Sequence, residues 1–167
     1  SDKVGKHILK SIDPEFKKYT WLDRGSDERQ YCAPGIDLPV TSIMRSKYDE
    51  YPEYHTSLDD LSLISQKGLE GGFNALLRCL EAIEFNCFPK ALILGEPQLG
   101  KRGLYPDTST KESTDAVRSM MDLLSYSDGS LDLVEIAEII NTPVWELYEI
   151  VNNLVTHGIL DSPKDQV

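Results

Sequence analysis

The chain has 167 residues, of which 40% are hydrophobic and 27% charged, as expected for a core-forming protein with one ordinary domain or two small ones. No apolar run approaches the roughly 20 residues that cross a bilayer, and the N-terminal SDKVGKHILK lacks the apolar core of a secretion signal. Cys32, Cys79 and Cys87 are scattered and form no CxxC pair, which is typical of a reducing cytoplasm and argues against a zinc ribbon. We therefore expect a cytoplasmic protein without membrane contact.

The formal net charge of −11 is unevenly distributed along the chain. Residues 1–110 carry 14 basic and 17 acidic side chains, whereas residues 111–167 carry 3 basic and 11 acidic ones. Such an acidic C-terminal region repels phosphate backbones, so its charge disfavours nucleic-acid binding.

Reactive side chains are concentrated in residues 25–61, around one short apolar run. They are Asp27, Glu28, Arg29, Tyr31, Cys32, Tyr54, His55, Asp59 and Asp60. The turn at residues 24–27 (RGSD) predicts the cap of a short helix. Residues 36–44 (IDLPVTSIM) predict a strand. This density of reactive groups indicates one wall of a functional site, without identifying the site.

The middle of the chain predicts a long helix over residues 68–85, because apolar residues recur there every three or four positions. The residues of this apolar face are Leu69, Phe73, Leu76, Leu77, Leu80 and Ile83. Cys79 lies beside that face and is interpreted as core filler rather than as a nucleophile. A further short helix is predicted over residues 3–10, and a short buried strand over residues 91–94.

The C-terminal part predicts the element order of a winged helix. One helix ends near Ser125, a short helix covers residues 131–140, a longer one covers residues 144–157, and the strand of a wing begins at Ile159. The longer helix is expected to place inward Val144, Leu147, Ile150, Val151 and Leu154.

Two segments in the second half of the chain match functional motifs only in part. Residues 95–101 (GEPQLGK) match the phosphate-loop pattern, but Arg102 stands where a Ser or Thr would bind magnesium, and no helix pattern follows. The segment is interpreted as a glycine-rich connection. The helix after residue 143 offers glutamates rather than a basic stripe to a DNA groove, so its Trp145 and Tyr148 are predicted to be exposed anchors for a protein contact.

His55 is a candidate metal ligand, because it lies between Tyr54 and Thr56 and precedes two aspartates. Carboxylates near a histidine often orient its ring in metal sites. A lone histidine near tyrosines is more commonly structural, and a catalytic zinc needs about three protein ligands. The residues alone leave both interpretations open.

The segments GSDERQYCAPGIDLP and PEYHTSLDDL resemble the C-terminal part of the M28-type zinc aminopeptidases. A closer similarity is to a bacterial branch of aminopeptidase-like proteins, associated with polysaccharide biosynthesis, that ends in a winged helix. In the peptidase family a Gly-Ser-Asp turn precedes the last core strands, and a later Tyr/His-Thr motif supplies the final zinc ligand. Residues 25–27 match the first motif and residues 55–56 the second, and the resemblance covers residues 21–160.

The resemblance implies that His55 is a zinc ligand and that the Tyr54 hydroxyl assists catalysis by donating to the developing oxyanion. It also implies that Asp27, Glu28 and Arg29 shape the pocket wall or bind the ends of the substrate. Glu28 stands where many of these peptidases have histidine. The family's earlier ligands and its general-base glutamate have no match upstream of residue 25.

The fold implied by the resemblance is α/β. Residues 1–110 are expected to form the C-terminal part of a mixed-sheet zinc-aminopeptidase-like domain, and residues 111–167 a winged-helix domain. We expect a longer parent protein in which a zinc-bound water attacks a peptide or amide carbonyl. By itself this chain is expected to perform no hydrolysis.

Two other interpretations stay open. In the first, a noncatalytic module uses the sheet remnant as a scaffold and docks a protein partner or a second subunit through the acidic winged helix. In the second, a winged-helix regulator binds DNA, which the charge distribution disfavours. The expected partners are therefore a peptide or amide substrate and a protein or second copy, whereas nucleic acid is not expected.

Overall fold

The computed structural model describes residues 1–104 and 111–161, with the side chains of residues 115–161 in the second range. The α-helices are α1 (Asp2–Ile12), α2 (Glu28–Tyr31), α3 (Gln66–Glu84), α4 (Lys111–Ser125), α5 (Leu133–Ile139) and α6 (Val144–Thr156). Short 3₁₀ turns lie at Trp21–Asp23 and Leu99–Arg102. The chain divides into two compact units, Ser1–Glu81 (unit 1) and Ala82–Val167 (unit 2). In the part of the chain that is described, no helix is both long and apolar enough to cross a membrane.

The predicted α/β mixed sheet is wrong. Residues 1–104 and 111–161 contain no β-strand, only isolated antiparallel bridges between Lys90 and Asp128 and between Ala91 and Leu160. The expected strand at residues 36–44 is irregular chain. A strand needs a neighbouring strand to complete its hydrogen bonds. Here the Leu38 amide donates instead to the nearby Tyr31 carbonyl at 2.8 Å, so the segment folds back on itself.

Helix α1 anchors the N-terminal part of unit 1. It is amphipathic, with Val4 and Ile8 buried, and it extends the helix predicted at residues 3–10 by a few residues at its ends. The Thr41 hydroxyl donates to the Asp2 carboxylate at 2.5 Å, which attaches the irregular segment to the first turn of α1. The buried side of α1 therefore holds this helix in unit 1, and the bond between Asp2 and Thr41 positions the irregular segment that follows α2.

Helix α3 has three distinct sides. Its small residues Ala75, Cys79 and Ala82 are buried, as expected for Cys79 as core filler. The polar residues occupy a second side. The large apolar residues of the predicted face, all exposed, occupy the third: Leu69, Phe73, Leu76, Leu77, Leu80 and Ile83. The predicted periodicity is therefore correct, but the side of α3 that packs within this chain is the one with small side chains.

In unit 2, α6 packs against α4 and α5. Its buried residues are Val144, Leu147, Val151 and Leu154, four of the five expected, and Ile150 is half-buried. Residues 89–92 lie between residues 127–129 and residues 159–161. They hydrogen-bond to both, with the Ala91 amide donating to the Ser127 carbonyl at 2.8 Å and the Leu92 amide donating to the Ile159 carbonyl at 2.8 Å. Three helices with short bridged segments are the arrangement of a winged helix.

Helix α5 begins with a reciprocal cap. The buried Asp132 carboxylate accepts from the Glu135 amide at 2.9 Å, and the Glu135 carboxylate accepts from the Asp132 amide at 2.9 Å. These bonds satisfy amides that a helix N-terminus leaves without intrahelical partners.

We expect Asp132→Ala to destabilise unit 2 by about 1–2 kcal/mol, because it removes this cap from a short, buried helix. Urea unfolding followed by circular dichroism measures the loss. Ser130→Ala is the control, since Ser130 is exposed and its hydroxyl donates to the Asp128 carboxylate within the same loop. Equal midpoints for the two variants would contradict a stabilising role for the cap.

Candidate functional site

Helix α2 presents the first group of predicted site residues. Asp27 is the N-cap residue, and Glu28 and Arg29 form the first turn. The turn before α2 was expected to cap it through a side chain, but no side-chain cap bond forms at Asp27. Asp27 and Arg29 are exposed, whereas Glu28 is half-buried and points back over the turn.

The Glu28 carboxylate is the centre of a hydrogen-bond network. One oxygen accepts from the Tyr48 hydroxyl at 2.6 Å and from the backbone amide of Gly25 at 3.0 Å. The same oxygen accepts from the Ser26 amide at 3.3 Å, and the other accepts from the Ser42 hydroxyl at 3.4 Å. Carboxylates that accept several hydrogen bonds favour their charged form. Through its bonds to Ser42 and Tyr48, Glu28 also joins α2 to two later parts of the chain.

The hydrogen bonds to Glu28 lower the pKa of its carboxyl group. Burial by itself would raise its pKa, but the bonds from Tyr48, Gly25 and Ser26 together outweigh that effect and lower the pKa to about 2. The same bond, with burial and the Glu28 charge, raises the pKa of Tyr48. At neutral pH the pair is thus a carboxylate and a neutral phenol that donates to it.

Glycine at position 25 is required by the same contact. A Cβ at this position would overlap the ring carbons of Tyr48. The Gly-Ser-Asp turn therefore has a packing role, because its glycine lets an aromatic ring approach the backbone.

A second polar cluster lies nearby in unit 1. The Tyr19 hydroxyl donates to the Glu50 carboxylate at 2.5 Å, and the Lys47 ammonium lies 3.8 Å from the other Glu50 oxygen. The hydrogen bond to Glu50 is the main reason that the pKa of Tyr19 rises to about 12. The Lys47 ammonium also lies over the Tyr19 and Tyr48 rings, at 5.3 and 4.7 Å from their centroids. Lys47 thus connects the two clusters.

These clusters border a cavity of about 560 Å³ within unit 1. Its lining combines aromatic rings, basic side chains and four acidic residues, Asp2, Asp23, Glu28 and Asp37. The aromatic and basic members include Phe16, Tyr19, Trp21, Tyr48, Lys17, Lys18, Arg24 and Lys47. A concave site with rings and a few charged groups suits a ligand of small-molecule or short-peptide size.

Tyr54 and His55 form the other group of predicted site residues. Their rings stack at 4.0 Å between centroids, and Tyr51 meets Tyr54 edge-on at 5.6 Å. His55 is exposed and has a positive φ of 55°, a conformation that costs energy for residues other than glycine. Neither residue borders the 560 Å³ cavity, which contains Glu28. The structure thus places the two predicted groups in unit 1 without showing contact between them.

The described residues do not fit a complete zinc centre. Among the described side chains, those of residues 1–104 and 115–161, no three His, Cys, Asp or Glu groups are placed so that they could hold a metal ion. Asp60, one of the aspartates expected to orient His55, accepts instead from the Ser62 amide at 2.8 Å. A catalytic zinc needs about three protein ligands, so these residues alone cannot supply one.

Sequence reasoning missed Tyr48, Lys47 and Glu50. All three lie within residues 45–53, a polar segment that is rich in tyrosine. The available signal was the alternation of tyrosines with charged residues, but their partners lie far away, 20 residues from Tyr48 to Glu28 and 31 residues from Glu50 to Tyr19.

The segment that matches the phosphate-loop pattern, residues 95–101, does not have the structure of a phosphate loop. The strand expected before it is absent, and Leu99–Arg102 is a 3₁₀ turn that ends at Gly103 in the left-handed region. Residues 105–110, which follow this turn in the sequence, lie outside the described residues. The expected domain boundary between residues 110 and 111 adjoins that segment and stays a prediction.

Family models divide the chain in the same order as its folded units, a helical unit followed by a winged helix. A model described as a domain of unknown function, DUF4910, matches residues 1–86, and a winged helix-turn-helix model matches residues 88–162. The chain therefore belongs to the DUF4910 family and continues into a winged helix-turn-helix domain. The prediction of a winged helix is confirmed.

A named protein and a crystal structure, both from Clostridium acetobutylicum, are similar to this chain. One, named as a polysaccharide biosynthesis protein with an aminopeptidase-like domain, is 37% identical over 147 residues, 81% of this chain and 32% of that protein. A crystal structure of a protein that carries the name peptidase has a TM-score of 0.83 and 32% identity, over 96% of this chain and 35% of that one. The resemblance to aminopeptidase-like proteins is thereby confirmed. The chain spans about a third of the length of these relatives.

Proposed function

We propose that this chain is one portion of an M28-type, zinc-dependent aminopeptidase-like hydrolase that acts on a peptide or amide bond in the cytoplasm. The observation that carries the proposal is the likeness over 96% of the chain, at a TM-score of 0.83, to a structure that carries the name peptidase. The free thiols of all three cysteines support the reducing location.

Unit 1 supplies one wall of the substrate site in this proposal. Glu28, held as a carboxylate by Tyr48 and two backbone amides, gives that wall a permanent negative charge beside the aromatic cavity. The exposed side chains of Asp27 and Arg29 lie on the same short helix and are available to the ends of a substrate. A fixed charge on a rigid turn favours one orientation of a polar ligand over others.

In this proposal His55 contributes one zinc ligand, and Tyr54 donates its hydroxyl to the oxyanion that develops on the substrate carbonyl. The ring stacking orients His55, and its strained backbone supports a functional constraint. The other ligands must come from chain outside the described residues, because those residues do not complete a centre.

Unit 2 serves protein contacts in the same proposal. Its helix α6 exposes Glu146 and Glu149, which oppose a phosphate backbone, whereas Trp145 and Tyr148 are half-buried rather than fully exposed. A second candidate function, a noncatalytic scaffold that docks a protein or a second copy, is favoured by the same acidic surface and by the incomplete metal site.

The test is the zinc content of the natural protein that contains this sequence, purified without chelator and measured by mass spectrometry. We expect bound zinc in the unmodified protein and a loss of affinity of roughly 100-fold or more in His55→Ala, because a direct ligand is removed. His157→Ala is the matched control, since His157 is exposed in unit 2. Unchanged zinc in His55→Ala would contradict the ligand assignment, and zinc-free unmodified protein would favour the scaffold.

A further inference from the structure

Helix α3 leaves a broad apolar surface uncovered in unit 1. We define the α3 face by Leu69, Phe73, Leu76, Leu77 and Leu80, all of which are exposed large hydrophobic residues. Leu69, Phe73 and Leu80 are each 65% exposed. Positions three and four residues apart lie on one side of a helix, so these side chains form one continuous patch.

The opposite side of α3 already packs within the chain. Ala75 and Cys79 are buried there, and the Arg45 guanidinium lies so close to Gly71 that a Cβ at that position would approach it to 3.1 Å. Helix α3 thus has apolar residues on two sides and only a narrow polar strip, formed by Glu70, Asn74 and Arg78. This pattern is typical of a helix that packs between two layers of protein. One of those layers is present in this chain, and the other is not seen in its described residues.

A patch of this kind needs a partner. Single exposed leucines are ordinary, whereas contiguous apolar patches mark interaction surfaces. The patch spans only about two heptads, shorter than a coiled-coil pairing needs, which disfavours a second copy of α3 as the partner.

The length of the relatives indicates the occupant. The arrangement of this chain recurs at a TM-score of 0.83 inside a crystal structure of which it covers only 35%, and the similar relative of which it covers 32% is named for an aminopeptidase-like domain. We infer that the α3 face packs against further aminopeptidase-like chain in the natural protein. This inference rests on the proposed function and adds the surface through which the two portions meet.

The first experiment compares hydroxyl-radical footprinting of the 167-residue chain and of the natural protein that contains it. We expect Phe73 and Leu80 to react readily in the 167-residue chain and roughly tenfold more slowly in the natural protein, because packed side chains are shielded from solvent. Equal reactivity in the two proteins overturns the inference. The 167-residue chain could instead show shielding that disappears on dilution, together with dimers in sedimentation. That result would identify a second copy as the occupant and would also overturn the inference.

The second experiment places one charge on each side of α3. In the natural protein we expect Leu80→Glu to lower Tm by about 5 °C or more relative to Asn74→Glu, which adds the same charge on the polar strip. In the 167-residue chain the two variants are expected to melt together, since Leu80 is already exposed there. Equal melting in the natural protein overturns the inference. Zinc content is read separately, so a shielded α3 face in a zinc-free protein would reject the proposed hydrolase and leave the packing intact.

Discussion

Leu147→Ala is expected to destabilise unit 2 by about 2–5 kcal/mol. Leu147 is fully buried on α6, the helix that packs against both α4 and α5. Truncation removes apolar contacts from the core of unit 2 and leaves a cavity that the surrounding helices fill only in part.

The two tryptophans allow this effect to be assigned to one unit, because Trp21 lies in unit 1 and Trp145 in unit 2. In a Trp21→Phe background, urea unfolding followed by Trp145 fluorescence reports on unit 2. Ile139→Ala is the control, since Ile139 is exposed on α5 and its truncation is expected to cost less than about 1 kcal/mol. Similar unfolding midpoints for both variants would mean that α6 does not organise this core.

Glu28→Gln is expected to destabilise unit 1 by about 1–2 kcal/mol at neutral pH. The pKa of Glu28 falls from 4.5 to about 2 on folding, which corresponds to roughly 3 kcal/mol by linkage before solvent screening of a half-buried group is allowed for. Glutamine keeps the size of the side chain but loses the charge that the Tyr48 hydroxyl and two amides stabilise.

The stabilisation of unit 1 by the ionised Glu28 carboxylate depends on pH. A carboxyl whose pKa is lower in the folded state stabilises the protein above its unfolded pKa, and this stabilisation is lost as the acid form takes over. The difference in stability between unmodified protein and Glu28→Gln should therefore shrink as pH falls from about 4.5 toward 2. Other carboxyls with lowered pKa values, such as Asp23 and Asp60, titrate in both proteins and cancel in the difference.

Trp21 fluorescence in a Trp145→Phe background measures unit 1, because Trp21 borders the same cavity as Glu28. Glu15→Gln is the matched control, since the Glu15 side chain is exposed. Stability curves of Glu28→Gln and unmodified protein that stay parallel from pH 5 to pH 2 would show that the network does not hold the Glu28 charge.

The helices were predictable because their signals are local. Apolar spacing placed α3 and α6 close to their observed bounds. Local motifs also identified the aminopeptidase-like resemblance and the winged helix. Motif residues and helical periods depend on neighbours within a few positions, which the sequence displays directly.

The strands were not predictable in the same way. Residues 36–44 and 91–94 have the composition of strands, but a strand forms only if another segment completes its ladder. In unit 2 the pairing of residues 89–92 with two other segments is limited to single bridges. In unit 1 the amide of Leu38 and the thiol of Cys32 bond within their own loop instead.

By itself, the sequence determined where helices form, that a winged helix follows a first unit, and that residues 25–61 concentrate reactive groups. Only the tertiary structure decided that Glu28 is held by Tyr48, that Tyr54 and His55 lie away from the cavity that Glu28 borders, and which side of α3 is covered. The physical reason is distance along the chain. Periodicity and capping depend on adjacent residues, whereas burial, ladder pairing and charge stabilisation depend on groups that only folding brings together.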